Sequence, residues 1–239
     1  MTYLFIADLH LSPEHPRLVR GFLDLLKEYQ DKNTHLYILG DWFNAWIGDD
    51  YSSAWLDEII NHLKTFTERG NKVYFLVGNR DFVLGKAFLN KFGGELLPDV
   101  DVLQIADKSI RIEHGDALCT DDLAYQHFKK IIRNPIVLGT LKRTPLSFRM
   151  KLANGFRKKS RESNEFKSYE IMDVNQQAVE NALADVDILI HGHTHRPNIH
   201  NVKGKPRIVL GDWRESEAKI LELSPPINTS KINLTTWRY

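Results

Sequence analysis

Short runs of consecutive apolar residues alternate along this chain with longer stretches in which apolar residues recur every three or four positions. YLFIA (Tyr3–Ala7), LYIL (Leu36–Leu39) and VYFLV (Val73–Val77) are continuous, β-branched or aromatic, and end in small or polar residues. That pattern predicts strands covered on both faces. Between them Leu18, Phe22, Leu25, Leu26 and Tyr29, then Trp55, Ile59, Leu63 and Phe66, fall at helical spacing. The order β-α-β-α-β predicts a layered α/β domain. Further strands are predicted at Val102–Ile105, Ile110–Glu113, Ile188–His191, Arg207–Leu210 and Lys219–Leu223. Between Asp121 and about Asn175 the strand signal stops. Helical patterns broken by Asn134-Pro135, Gly139, Pro145 and Gly155 predict a helical lid inserted into one domain spanning 1–239. From Ser224 the composition turns to Pro, Ser, Thr and Asn, which predicts a peripheral tail (224–239).

A chain of 239 residues is long enough to bury a core without a staple, and its one cysteine, Cys119, excludes a disulfide framework and a Cys-rich zinc site. No run of 18 apolar residues is present, and MTYLFIADLH lacks the basic stretch of a secretory signal. A cytoplasmic protein is expected.

Candidate chemistry gathers where the predicted strands end: Asp8-Leu9-His10, Gly40-Asp41, Gly78-Asn79-Arg80-Asp81, His114-Gly115-Asp116 and Gly192-His193-Thr194-His195. Open α/β sheets bind ligands beyond the carboxyl ends of their strands, so the five clusters are expected to converge. In an extended segment residues i and i+2 point the same way, making Asp8 with His10, and His193 with His195, two clamps. With Asp41, Asn79 and His114 there are seven candidate ligands, too many for one tetrahedral zinc and enough for two cations sharing a bridge. A carboxylate can bridge two cations and an imidazole cannot, which assigns the bridge to Asp41. A sulfur-free N/O set suits two Mn²⁺, with Mg²⁺, Fe²⁺ or Zn²⁺ as alternatives. Two-metal phosphoryl transfer is the chemistry such a site performs.

DLH, GDWFN, GNRD, HGD and GHTH together resemble the five-part signature of the calcineurin-like metallophosphoesterases, over Asp8 to His195. The resemblance implies a four-layer αββα sandwich. It places one metal on Asp8, His10, Asp41 and His195 and a second on Asp41, Asn79, His114 and His193. ILGDWFNAWIGDD, GNRDFVLG, HGDALCTDD, EIMDVN and RIVLGDWR are similar to the branch that acts on UDP-2,3-diacylglucosamine in lipid A biosynthesis, a Gram-negative pathway. That implies hydrolysis of a diphosphate bond by a metal-held hydroxide attacking the α-phosphorus. The general family has GNHD where this chain has Arg80. An arginine cannot act as a general acid near neutrality but clamps phosphate well, and a phosphate leaving group needs no proton. Arg80, Asp41 and His114 are the expected catalytic residues. Asn44 is read as supporting the metal ligands, and Asp81 as orienting His10 or Asn79.

The net charge of +1 hides an asymmetry. Lys129 to Arg161 holds 11 of the chain's 32 basic residues and no acidic one, leaving 21 basic against 31 acidic elsewhere. Interleaved Ile131, Val137, Leu141, Phe148 and Phe156 predict a surface for anionic membranes or an amphiphilic ligand, and so a peripheral location on the cytoplasmic face of the inner membrane. Nucleic acid is disfavoured, since Phe148 and Phe156 alone could stack on bases; the bland alternative is a lid with solvated charges. No obligate protein partner is implied. Ser160, Asn164 and Lys167 fall on one helix face. The resemblance makes that face, with Asn79, Arg80, Asp122 and His193, the substrate-binding surface. Alternatives are a broader phosphodiesterase or phosphoprotein phosphatase, or a binding module on an inactive core. Cys119 and the remaining histidines (His15, His35, His62, His127, His191 and His200) are read as structural.

Overall fold

Each of the first three strands puts alternate side chains into two different cores. The computed structural model describes residues 1–165 and 173–239, with backbone only over 158–165. β1 (Thr2–Ile6), β2 (Thr34–Leu39) and β3 (Lys72–Leu76) run parallel in register. Leu4, Ile6, Leu36, Ile38, Val73 and Phe75 point outward onto α1 (Pro16–Tyr29) and α2 (Ala54–Glu68), whose own stripes supply Phe22, Leu25, Leu26, Ile59, Leu63 and Phe66. Phe5, Ala7, Tyr37, Leu39 and Leu76 point the other way, into a second core. Continuous apolar runs are the consequence of being covered on both faces.

The far wall of that second core is a second sheet. β5 (Val100–Ile105), β6 (Lys108–Glu113), β7 (Ile188–His191), β8 (Asn198–Val202) and β9 (Lys205–Val209) assemble in the order β5-β6-β7-β9-β8 and contribute Ile105, Ile110, Ile112, Ile188, Ile190 and Ile208. Its outer face carries α7 (Gln176–Ala182) through Val179, Ala182 and Leu189. The first sheet has the order β11-β10-β1-β2-β3-β4, with β4 (Glu95–Leu96), β10 (Glu217–Leu223) and β11 (Leu234–Arg238) completing it; α3 (Lys86–Leu89) precedes β4. Helices, sheet, sheet and helix make the expected αββα sandwich.

Three strands escaped the sequence pattern. β4 is two residues long and β8 is half exposed and polar. β11 lies in the stretch expected to be a tail; instead it pairs antiparallel with β10 as the sheet's edge, and Trp237 Nε1 donates to the Gly21 carbonyl of α1 (3.2 Å). A polar composition masked the β-branched and aromatic run Thr235-Thr236-Trp237.

The inserted segment is helical, as expected: α4 (Leu123–Ile132), α5 (Pro135–Lys142) and α6 (Leu146–Glu165). Asn175 closes its neck, donating from its backbone to the Leu118 carbonyl (2.8 Å) and from Nδ2 to Asp121 (3.0 Å). Leu138 and Leu141 pack on the first core. Arg149, 4% exposed, donates to the carbonyls of Ile47 (2.6 Å) and Thr144 (3.0 Å) and grips the Asp50 carboxylate with both terminal nitrogens. Lys129 and Arg133 are likewise turned inward onto Asp116 and Asp99. Among the described side chains, three of these basic residues are therefore internal anchors rather than surface charge.

A dinuclear candidate site at the seam of two sheets

Loops leaving β1, β2 and β3 of one sheet meet loops leaving β6 and β7 of the other. The backbone route differs from the extended one expected. Asp8, His10, Asp41, His193 and His195 all have left-handed φ, between 51° and 68°. Non-glycine residues held there cost of order 1–3 kcal/mol each and cluster at functional sites. The β1 and β2 loops are fixed side by side, with Asp8 N donating to Gly40 O (3.1 Å), His10 N to Asp41 O (3.0 Å) and Leu11 N to Trp42 O (2.9 Å). Beneath, Trp42 and Phe43 stack at 4.9 Å and Trp46 sits 4.4 Å from Phe88, locking the loop from below. Two glycines are required by space alone. A Cβ on Gly78 would lie 2.2 Å from Asp41 Oδ1, and one on Gly192 would lie 2.4 Å from Asp8 Oδ2.

All seven expected ligands are brought together. The donor atoms of Asp8, His10 and His195 lie within 4.8 Å of one another, as do those of Asp8, Asp41 and His114. His10 Nε2 faces His195 Nε2 at 3.3 Å, and His114 Nε2 faces His193 Nδ1 at 3.3 Å. Asn79 Oδ1 is 2.9 Å from both of the latter nitrogens. Asp41 divides its carboxylate, Oδ2 toward His10 (3.9 Å) and Oδ1 toward His114 (3.8 Å), one oxygen toward each half of the cluster.

The donor set fits divalent cations. Asp8 Oδ1 and His10 Nδ1 are buried with no hydrogen-bond partner, an arrangement that is costly unless a cation completes it. Burial, followed by Arg80, pushes His10 below its ordinary value; burial and then His114 push His193 down to about 4. Both imidazoles stay neutral, with lone pairs available to a metal. Burial would raise Asp8, but the close approach and charge of His195, whose Nε2 lies 3.4 Å from Asp8 Oδ1, outweigh it and keep the carboxylate ionised.

Arg80 stands at the rim, 37% exposed. Its Nη1 donates to Asn44 Oδ1 (2.9 Å) and its Nε lies 3.5 Å from Asp41 Oδ2, so Asn44 holds the guanidinium rather than the metal ligands. Asp81 is corrected. It does not orient His10 or Asn79; it accepts from the backbone amides of Gly78 (2.7 Å), Trp42 (2.7 Å) and Asp41 (3.3 Å), tying the β2 and β3 loops together. Asp122 caps α4 by accepting from Tyr125 N (3.1 Å). Ser160 and Asn164 lie on the α6 backbone, and their side chains, with all of Lys167, fall outside the described residues.

Sequence reasoning named Asp116 in the HGD cluster without giving it a role, and missed Tyr125 and Asp212. Asp116 is buried between the site and the lid, and Tyr125 lays its ring 6.1 Å from that of His193 at 30°. Asp212 Oδ2 lies 4.0 Å from His195 Nδ1, placing a carboxylate behind that imidazole. The HGD and GDWR blocks held the signal for the two carboxylates.

Comparison with known proteins identifies the family. The family model for calcineurin-like phosphoesterases matches residues 1–197. Proteins named UDP-2,3-diacylglucosamine hydrolase are similar throughout. That of Serratia proteamaculans is 47% identical, covering 89% of this chain and 91% of its own. That of Pseudomonas aeruginosa is 44% identical with the same coverage, and that of Haemophilus influenzae 42% identical over 92% and 93%. The chain belongs to the calcineurin-like phosphoesterase family, in the branch that these relatives form.

Proposed function

We propose that this chain hydrolyses the diphosphate bond of UDP-2,3-diacylglucosamine, giving UMP and 2,3-diacylglucosamine 1-phosphate. The observation that carries the reading is Arg80, a permanently charged fork fixed by Asn44 beside a paired ligand cluster. It can hold a diphosphate but cannot protonate an alkoxide, so the bond it serves is one whose leaving group is already a stable phosphate. Water adds to the α-phosphorus, the bond from that phosphorus to the bridging oxygen breaks, and the bridging oxygen leaves with the lipid phosphate. Both products are then phosphate monoesters.

Two divalent cations, when bound, supply the positive charge that stabilises the transition state and activates water. The chain's own part is positioning. Asp41 holds the two halves of the site in one geometry through its divided carboxylate, Asn79 presents its amide oxygen between His114 and His193, and Arg80 orients the diphosphate for in-line attack. We assign Mn²⁺ to both positions, because the set mixes carboxylate, amide and imidazole donors without sulfur.

The lid supports a membrane-facing role on the cytoplasmic face of the inner membrane. Leu123, Ile131, Ile136, Phe148 and Met150 are exposed among the exposed Lys130, Lys142, Arg143 and Lys151. Apolar side chains flanked by cations suit an anionic interface. No helix among the described residues is long and apolar enough to cross a membrane.

Purified protein incubated with Mn²⁺ and substrate in anionic vesicles is expected to release UMP; none would overturn the assignment. In ¹⁸O-water the label is expected in UMP, and label confined to the lipid phosphate would overturn α-attack. Comparable turnover of nucleotide diesters or phosphopeptides would favour a broader phosphodiesterase. Cosedimentation with anionic vesicles is expected to fall for Ile136→Asp.

A further inference from the structure

Three residues of the lid's first helix reach down to the loops that carry one half of the ligand set. Tyr125, Lys129 and Arg133 are spaced four apart and share one face of α4 and its C-cap. Tyr125 OH donates to Asp116 Oδ2, Lys129 Nζ donates to Asp116 Oδ1 (2.9 Å), and Arg133 Nη2 donates to the Gly78 carbonyl (2.8 Å) and lies 3.8 Å from Asp116 Oδ2. Gln126 Nε2 adds a bond to the Asp116 carbonyl (2.8 Å). Asp116 is two residues beyond His114, Gly78 directly precedes Asn79, and the Tyr125 ring lies against His193. The stripe therefore touches the loops or side chains of Asn79, His114 and His193. No described lid residue makes a hydrogen bond, ion pair or ring contact with Asp8, His10 or His195; the β9–β10 loop supports them instead, through Trp213 N to Asp8 O (3.1 Å) and Asp212 beside His195.

We infer that Asp116 and the Tyr125–Lys129–Arg133 stripe are positioning residues for the Asn79–His114–His193 half of the centre, so that seating of the lid and filling of that half by a metal are coupled. Ligand-supporting contacts of this kind hold donor atoms in place, and removing them costs roughly 10–100-fold in metal affinity. Coupling is reciprocal, so a metal in that half must also steady α4. The inference rests on reading the seven side chains as a metal centre, but not on the identity of the substrate.

The test titrates metal-free protein with Mn²⁺ and follows both binding events by calorimetry and electron paramagnetic resonance. Charge and geometry make opposite demands. If these residues acted only through their charge, Asp116→Asn would weaken Mn²⁺ binding while Lys129→Met, which unmasks a carboxylate, would tighten it. Positioning requires that both substitutions weaken one event, roughly 10–100-fold, and leave the other within about twofold. Lys129→Arg should restore it, and Lys130→Met, one residue off the stripe, should change neither. Mn²⁺ is expected to slow hydrogen exchange in α4 of the unsubstituted protein, and less so in Lys129→Met. Opposite signs for the two variants, equal weakening of both events, or unchanged affinities in folded variants would each overturn the coupling. Absence of Mn²⁺ binding by the unsubstituted protein would overturn the metal-centre reading itself.

Discussion

Replacing Arg149 by Met removes the lid's second anchor while keeping a side chain of similar length. Its effect can be divided by exposure. Asp50, the charged partner, is 57% exposed and regains water when the pair is broken, so the ion pair itself contributes only about 0–1 kcal/mol. The Ile47 carbonyl belongs to a residue 8% exposed, and losing its 2.6 Å donor leaves a nearly buried acceptor unpaired, at about 1–3 kcal/mol. Thr144 is a half-buried residue, and its carbonyl adds less. A total of about 2–3 kcal/mol follows, of which the carbonyl supplies most. Because Arg149 joins the lid to the loop after β2 and lies in neither sheet core, the loss should appear as local opening. Hydrogen exchange in α5 and the first turns of α6 should quicken by roughly 30- to 150-fold, at tenfold per ~1.4 kcal/mol, with sheet amides unchanged. Asp50→Ala, at about 0–1 kcal/mol, should accelerate exchange by no more than about fivefold. Equal effects from Arg149→Met and Asp50→Ala, or a uniform rise across both sheets, would refute the reasoning.

Three further outcomes follow from the site. Asp41→Ala removes the divided carboxylate, and Mn²⁺ stoichiometry should drop with kcat falling about 10³-fold, or ~4 kcal/mol; full activity would contradict a bridging role. Arg80→Lys keeps the charge but loses the planar fork on Asn44, and kcat/KM should fall about 10–100-fold with Mn²⁺ affinity unchanged. His191 is pushed down to about 3, by burial first and then by Arg207, which donates to its Nε2 (2.9 Å). The unfolded chain then binds a proton between pH 6.5 and about 3 that the folded chain does not, so stability falls as pH falls through that window. Denaturant titrations of metal-free His191→Gln should show a pH slope smaller by up to ~1.4 kcal/mol per unit; an unchanged slope would exclude His191 as the source.

The candidate ligands were legible because each follows its own apolar strand in a distinctive block, and strand ends of an α/β sheet have little other use for paired Asp and His. Their backbone was not. Left-handed φ at Asp8, His10 and Asp41 leaves no trace in residue type, since neither Asp nor His announces it as Gly would. Asp116 stood in the HGD block, but its role did not show for another reason: its partners are the basic residues of the lid, and a one-dimensional count reads Lys129 and Arg133 as surface charge when each has an acidic partner elsewhere in the chain. Asp81 looked like a side-chain orienter because backbone amides, its true partners, carry no sequence label. β11 was hidden by the Pro-Pro and Asn-rich stretch before it.

The seam between the sheets gives the centre a second physical role. Asp8, His10, Asp41 and Asn79 leave one sheet and His114, His193 and His195 leave the other, so neither sheet owns a complete coordination shell. Cations bound across the two sets would work as rivets through the top of the sandwich, each contributing about 2.7 kcal/mol at a concentration one hundred times its dissociation constant. Chelation should then do more than silence the protein: it should let the two sheets breathe apart at their catalytic end, while the apolar end beneath stays shut.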